Sequence, residues 1–213
     1  NENFSIGSNL KLIYSSFYDY NSFGLATDVS ASYHNPENNL SAYLLAKNIG
    51  RQLTYYHDGN RESLPFDLIL GFSKGLENAP FMFSVVFTDL HNPDLDYESP
   101  VSTPVVTDQD NERNFQDRMV DLADNFMRHT VLGLEFTPVQ SFSLRLGYNY
   151  RRRQEMKVDT RLSTVGFSWG FGLRISRFQI NYGRSNYHLA GTPNHISIST
   201  SMQELFRRQD EAR

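Results

Sequence analysis

The sequence contains no cysteine, which excludes a disulfide-stapled scaffold and any metal site built from thiolates. It has no run of about 18 apolar residues, so it encodes no predicted transmembrane helix. Its 20 basic and 24 acidic residues leave a formal net charge of −4. This balance argues against nucleic-acid binding, which requires clustered positive charge.

Aromatic residues are abundant by contrast, with 12 Tyr and 16 Phe in a chain of mean hydropathy −0.50. Many aromatics combined with modest hydrophobicity are typical of strands that have one apolar and one polar face. The dominant pattern is a period-2 alternation, which predicts about ten β-strands. In the clearest strand, 142–150, Phe142, Leu144 and Leu146 alternate with polar or small residues. We expect the apolar faces of these strands to carry no charged residue.

The connections between the predicted strands alternate in length, apart from one short link near Tyr20. The predicted short connections are 35–39, 77–80, 138–141 and 176–177, and the longer ones are 51–64, 91–129, 151–162 and 188–194. Short turns on one side, long loops on the other and aromatics near strand ends are typical of outer-membrane barrels. We therefore predict an all-β, antiparallel transmembrane outer-membrane β-barrel. A soluble β-sandwich is the alternative fold.

This interpretation divides the chain into two parts. A β-barrel domain spans 1–202 and includes a long extracellular loop at 92–128, and a charged periplasmic tail spans 203–213. The sequence begins at Asn1 without Met and enters a strand pattern directly, which we interpret as a mature or truncated piece.

The longest connection contains a second type of pattern. Within 111–129, apolar residues recur at helical spacing with acidic and basic residues between them, which predicts a short amphipathic helix. We predict that Phe115, Met119, Leu122 and Phe126 bind a protein partner. The alternative is that this helix plugs or covers its own barrel.

Three consecutive arginines, Arg151, Arg152 and Arg153, follow the strand 142–150. Because arginine binds phosphate groups bidentately, they are candidate contacts for lipopolysaccharide. The alternatives are a loop edge or a ladder of lumenal charges that includes Arg145.

Motifs of catalysis and metal binding are weak in this sequence. Gly-x-Ser-x-Gly occurs around Ser73 and Ser168, but the chemistry requires a strand-to-helix turn, and Ser168 is predicted to lie within a strand. No two histidines have metal-ligand spacing on one element. The acidic run 108–114 lacks the glycine of a calcium loop, since Arg113 stands there. We therefore predict no catalytic residue, no metal and no cofactor, and a protein that is not an enzyme.

Several stretches resemble the PorQ family of the type IX secretion system. PorQ is one of a broader group of barrels that includes PorV and the long-chain fatty-acid transporters. The stretches are SFGLATDVSASYH (22–34), LAKNIGRQL (45–53), RESLPFDLILGFSKGLENAPFMFSV (61–85), RHTVLGLEF (128–136), LRLGYNYRRRQEM (144–156), GFSWGFGLRIS (166–176) and YHLAGTPNHISIS (187–199). The resemblance covers nearly the whole chain in order, with the weakest match in 93–127. Family members are longer, which implies that the ten strands are part of a fourteen-stranded barrel.

The resemblance implies a structural role in the cell outer membrane. The family works in the attachment complex with PorZ, PorU and PorV, which joins secreted cargo to lipopolysaccharide, and the chemistry belongs to PorU. It implies a non-enzymatic subunit that anchors a PorZ-like surface partner. The alternative function is an outer-membrane transporter or porin for hydrophobic solutes, as in the related fatty-acid transporters.

Overall fold

The computed structural model describes residues 3–54, 62–95, 115–156, 164–187 and 191–200. Ten strands form one antiparallel sheet in which each strand pairs with its neighbour in sequence. They are β1 (Phe4–Phe17), β2 (Tyr20–Asn35), β3 (Leu40–Thr54), β4 (Asp67–Gly75), β5 (Phe81–Phe87), β6 (Thr130–Val139), β7 (Phe142–Asn149), β8 (Phe167–Ile175), β9 (Phe178–Ser185) and β10 (Asn194–Thr200). The predicted all-β antiparallel architecture is confirmed.

Two helices interrupt this order, α1 (Phe115–His129) before β6 and α2 (Tyr150–Met156) after β7. Neither is long and apolar enough to cross a membrane. Within the described residues, β1 and β10 each pair with one neighbour only, so the sheet is open along these two strands.

The register of the sheet separates two chemically different faces. Directly paired residues of antiparallel strands point to the same side, so a row of partners identifies one face. One row crosses β5 to β10 and is apolar throughout: Phe81, Phe136, Leu144, Phe171, Tyr182 and Ile196. The adjacent row on the opposite face is Met82, Glu135, Arg145, Gly170, Gly183 and His195. The alternation in the sequence thus becomes an apolar face and a polar face.

No described element covers the apolar face. Ile6 is 86% exposed, Leu10 70% and Ile198 70%. Among the described residues, the buried hydrophobic side chains are Ala26, Leu95 and Val165. Monomeric soluble proteins rarely expose contiguous apolar patches beyond a few hundred Å². An apolar face that crosses ten strands therefore requires an apolar cover that the described residues do not supply.

The polar face is held together by ion pairs and closely fitted small residues. The Lys11 ammonium lies 2.7 Å from the Asp28 carboxylate, and the Arg145 guanidinium lies 3.1 Å from that of Glu135. Arg145 also donates a hydrogen bond of 3.2 Å to Asn181 on β9. These groups have partners on their own face, which suits a polar or hydrated interior.

The expectation of a chargeless apolar face is wrong at three positions. Arg51 is paired with Leu25, Lys74 with Leu40, and Arg184 with Trp169, so each lies on the apolar side. A register shift within the β2–β3 pair brings Arg51 to this side, which strict alternation cannot anticipate. All three lie near strand ends, where long basic side chains can extend their charges towards water.

The two rims of the sheet differ, as the lengths of the connections predict. The short-turn rim consists of 36–39, 76–80, 140–141 and 176–177. The described parts of the long-connection rim are 18–19, 62–66, 88–95, 115–129, 150–156, 164–166, 186–187 and 191–193. Aromatic pairs of the apolar face lie at both rims. Phe81 and Phe136 have ring centroids 4.8 Å apart at the short-turn rim, and Tyr148 and Phe167 have centroids 4.8 Å apart at the other.

The two faces should respond differently to a buried charge. Leu146→Arg, on the apolar face, should cost about 2–4 kcal/mol of the free energy of unfolding in a bilayer if this face meets the hydrocarbon midplane. The control is Gly183→Arg on the polar face, where an added Cβ meets no atom within 4 Å. The measurement is denaturant unfolding in lipid vesicles. Equal costs for both variants would contradict this assignment of the faces.

Candidate functional site at the long-connection rim

Both helices lie at the long-connection rim, together with the ion pairs of Asp89, Asp124 and Arg151. The C-terminal end of α1 is fixed to the end of β5 by two contacts. The Thr88 amide donates to the His129 carbonyl at 2.9 Å, and His129 Nδ1 lies 2.7 Å from the Thr88 carbonyl. His129 is buried, so this junction fixes the C-terminal end of α1 beside the end of β5.

Asn125 fastens the middle of α1 to the segment after β5. Its side-chain amide donates to the Pro93 carbonyl at 2.7 Å and accepts from the Leu95 amide at 3.1 Å. Leu95 is one of the few buried apolar side chains. Asn125 therefore provides a hydrogen-bond acceptor and a donor for backbone groups of the irregular segment that follows β5.

Asp124 connects α1 to α2. It accepts hydrogen bonds from the Tyr150 hydroxyl at 2.5 Å and from Arg128 Nε at 2.7 Å. Burial opposes ionisation of this carboxyl, but these two hydrogen bonds outweigh it and lower its pKa below 3.8. The same hydrogen bond to Asp124, with a smaller effect of burial, raises the pKa of Tyr150. The pair is thus a charged acceptor and a neutral donor over a wide pH range.

Arg151 ties α2 to the end of β5. Its guanidinium lies 2.6 Å from the Asp89 carboxylate and 2.7 Å from that of Glu155. Burial would lower the pKa of Arg151, but the hydrogen bond and charge of Glu155 and the charge of Asp89 raise it instead. The guanidinium is permanently charged and already paired with two carboxylates.

The three arginines that we predict to contact lipopolysaccharide lie in a helix, whereas the sequence placed them where a strand meets a loop. Arg151, Arg152 and Arg153 belong to α2 and not to a strand edge, and all three are half-buried. The Arg152 guanidinium stacks 3.5 Å from the centroid of the Tyr187 ring. Contact between these residues and phosphate groups stays a prediction, and Arg151 would have to exchange partners to make it.

The rim also holds a cluster that the sequence analysis missed. The side chains of Asp67, Asp89 and His91 bring one potential ligand atom each to within 4.8 Å of one another. Asp67 starts β4 and Asp89 follows β5, and antiparallel pairing brings these two ends together. Asp67 Oδ1 accepts a hydrogen bond of 2.8 Å from the Asp89 amide, and Asp89 is neutralised by Arg151. These contacts account for the meeting of the two aspartates, and the His91 ring lies edge-on to that of Phe66, with centroids 5.1 Å apart.

The predicted partner-binding residues lie on α1 as expected. Met119, Leu122 and Phe126 share one face of the helix and are 51%, 64% and 58% exposed. Phe115 is the first residue of α1, and its side chain lies outside the described part of the chain. The Phe126 ring lies 5.4 Å from that of Phe87. That these residues bind a protein stays a prediction.

The two Gly-x-Ser-x-Gly motifs lie within strands, and the acidic run lies outside the described residues. Ser73 lies in β4 and Ser168 in β8, each in extended backbone and not at a strand-to-helix turn. The acidic run 108–114 and the tail 203–213 lie outside the described residues.

Together, the described elements form an antiparallel sheet with one exposed apolar face, one polar face and a rim built up by two helices. No protein-family model matches the chain, and no curated protein matches it either.

The Asp124 junction is testable by substitution. Asp124→Asn removes a charged acceptor and should weaken the association of α1 with α2 by about 1 kcal/mol. Because the pKa of Asp124 is lowered in the folded protein, this stabilisation is complete above 3.8 and is lost as the pH falls through the lowered pKa. Hydrogen exchange of α1 amides measures both effects. The control is Asp121→Asn on the same helix, at an exposed position, which should change exchange less.

Proposed function

We propose that this protein is an outer-membrane β-barrel whose apolar sheet face contacts lipid and whose polar face lines the lumen. The observation that carries the proposal is the exposed apolar face opposite a polar face with its own ion pairs. In a soluble sandwich, the apolar face would be covered by a second sheet. The described residues form a single sheet.

The distribution of charge and aromatics supports the same proposal. Arg51 and Arg184 lie at the long-connection ends of their strands, and Lys74 lies at the short-turn end of β4. Aromatic pairs occupy both rims. Basic residues and aromatic girdles at both ends of an apolar band are typical of membrane barrels.

A closed barrel would satisfy the free edges of β1 and β10. An exposed edge carries unpaired backbone groups, which have no hydrogen-bond partners in hydrocarbon. We propose that further strands lie between these edges and complete a fourteen-stranded barrel, as the family resemblance implies.

We infer further that the barrel is a non-enzymatic subunit of a type IX secretion attachment complex. By the resemblance, it anchors a PorZ-like surface partner, with PorU and PorV in the same complex, and contributes to the attachment of cargo to lipopolysaccharide. The elaborate long-connection rim supports this role, because extracellular loops of such barrels are the parts that meet other molecules. Transport of hydrophobic solutes is less well supported, since the Lys11–Asp28 and Glu135–Arg145 pairs line the polar face.

Membrane residence gives the first test. The full-length protein should fractionate with outer membranes and migrate faster on gels before heating than after it, because closed barrels resist unfolding by detergent. A monomer that stays soluble without detergent would exclude the proposal.

Orientation and partner give the second test. A photo-reactive amino acid at His91, exposed on the long-connection rim, should cross-link in intact outer membranes to a PorZ-like protein that mass spectrometry identifies. The matched control is Glu77, exposed on the short-turn rim, which should not capture it. Capture from Glu77 alone would reverse the proposed orientation.

A further inference from the structure

Helix α1 turns its polar side towards the protein and its apolar side outwards. Asp124 contacts Tyr150, Asn125 contacts the backbone at Pro93 and Leu95, and the buried His129 contacts Thr88. On the other side of the helix, Met119, Leu122 and Phe126 are between 51% and 64% exposed. A helix at a protein–water boundary has the reverse arrangement, with its apolar stripe against the core. The exposed stripe therefore needs an apolar environment that the described residues do not supply.

The stripe is continuous with the apolar face of the sheet. Phe126 is its member nearest the strands, and its ring centroid lies 5.4 Å from that of Phe87. Phe87 pairs with Leu70 on β4 and lies on the same face as Phe83 and Val85. The apolar surface thus passes from β5 to α1 through a contact between two rings, and whatever covers the sheet beside Phe87 also reaches Phe126.

We propose that α1 is an interfacial helix, whose stripe of Met119, Leu122 and Phe126 inserts into the boundary between lipid headgroups and acyl chains. This inference rests on the proposed membrane function and makes lipid the occupant of the stripe. Amphipathic helices lie in this boundary with the apolar side buried about 5–10 Å.

Lipid is favoured over a protein partner by the position of the stripe. A plug would have to turn the stripe towards the polar face, whereas Phe126 packs on the apolar one. A protein that covered the stripe would also have to cover the adjoining end of β5, which the proposed function assigns to the bilayer. The polar contacts of α1 with α2 then serve to hold the helix at the level of the membrane surface.

Site-directed spin labelling tests this directly, because these 213 residues contain no cysteine. Any cysteine elsewhere in the full-length protein is first replaced with serine. The variants are Leu122→Cys on the stripe, Asp121→Cys on the polar side of α1, and Leu146→Cys on the apolar face of the sheet. The full-length protein is reconstituted into phosphatidylcholine vesicles.

Accessibility of each label to oxygen, which concentrates in lipid, is compared with accessibility to a water-soluble nickel chelate. Heat-dependent gel migration verifies that each variant is folded, and Met119→Cys replaces Leu122→Cys if the latter fails to fold.

The expected result is a several-fold higher oxygen-to-nickel ratio at Leu122 than at Asp121, with a still higher ratio at Leu146. A high ratio at Leu146 with equal, low ratios at Leu122 and Asp121 would overturn the interfacial helix and leave the membrane barrel intact. A label at Leu122 shielded from both reagents would overturn it as well, because the protein itself would then cover the stripe. A low ratio at Leu146 would overturn the proposed function and the helix inference together. Strong immobilisation at Leu122 in native outer membranes but not in pure lipid would identify a protein partner instead.

Discussion

The structure depends on one constraint, which is that paired residues of antiparallel strands point to the same side. Since side chains alternate along each strand, a slip of one residue would exchange the two faces of that strand. The register keeps Leu144 beside Phe171 and, one position further on, Arg145 beside Gly170. Irregularities occur in the β2–β3 and β6–β7 pairs, and they absorb local mismatches without mixing the two faces across the rest of the sheet. The apolar surface and the polar surface both follow from this register.

The sequence predicts what depends on local periodicity and fails where tertiary contacts decide. The strands, the alternating lengths of their connections and the helix within 111–129 are confirmed, the last as α1 at Phe115–His129. The sequence pattern did not predict α2, because Tyr150 continues the alternation of β7. In the structure, Tyr150 is the first residue of α2, and its hydroxyl donates a hydrogen bond to Asp124 on α1. Val165 fits the alternation of β8 in the sequence, but it precedes the strand and is buried. The next residue, Gly166, has a φ of 90°. The meeting of Asp67 with Asp89 depends on how β4 pairs with β5 through their short turn, which brings the start of one strand beside the end of the other. No local periodicity reveals this contact.

The long-connection rim shows how polar contacts can orient an apolar surface. Asp124, Asn125 and His129 hold one side of α1, and their partners belong to two segments, one that follows β5 and one that follows β7. Each contact alone contributes little in water. Together they leave the helix one orientation, in which its apolar residues continue the surface beside Phe87. Partner recognition at the same rim would then use the polar groups and the connections around them.

The sizes of the side chains on the two faces favour a sheet that curves towards its polar side. Leu146, Trp169 and Phe171 are bulky members of the apolar face, whereas Gly147, Ser168 and Gly170 stand between them on the other. At Gly147 and Gly133, the space that a Cβ would occupy is taken by the hydroxyl of a paired serine, so the polar side is closely packed although its residues are small. Large groups outside and small groups inside relieve crowding when a sheet bends inwards, and glycines permit such bending. The distribution of side-chain volume therefore suits a sheet that curves around its polar face, which is the curvature that the proposed barrel requires.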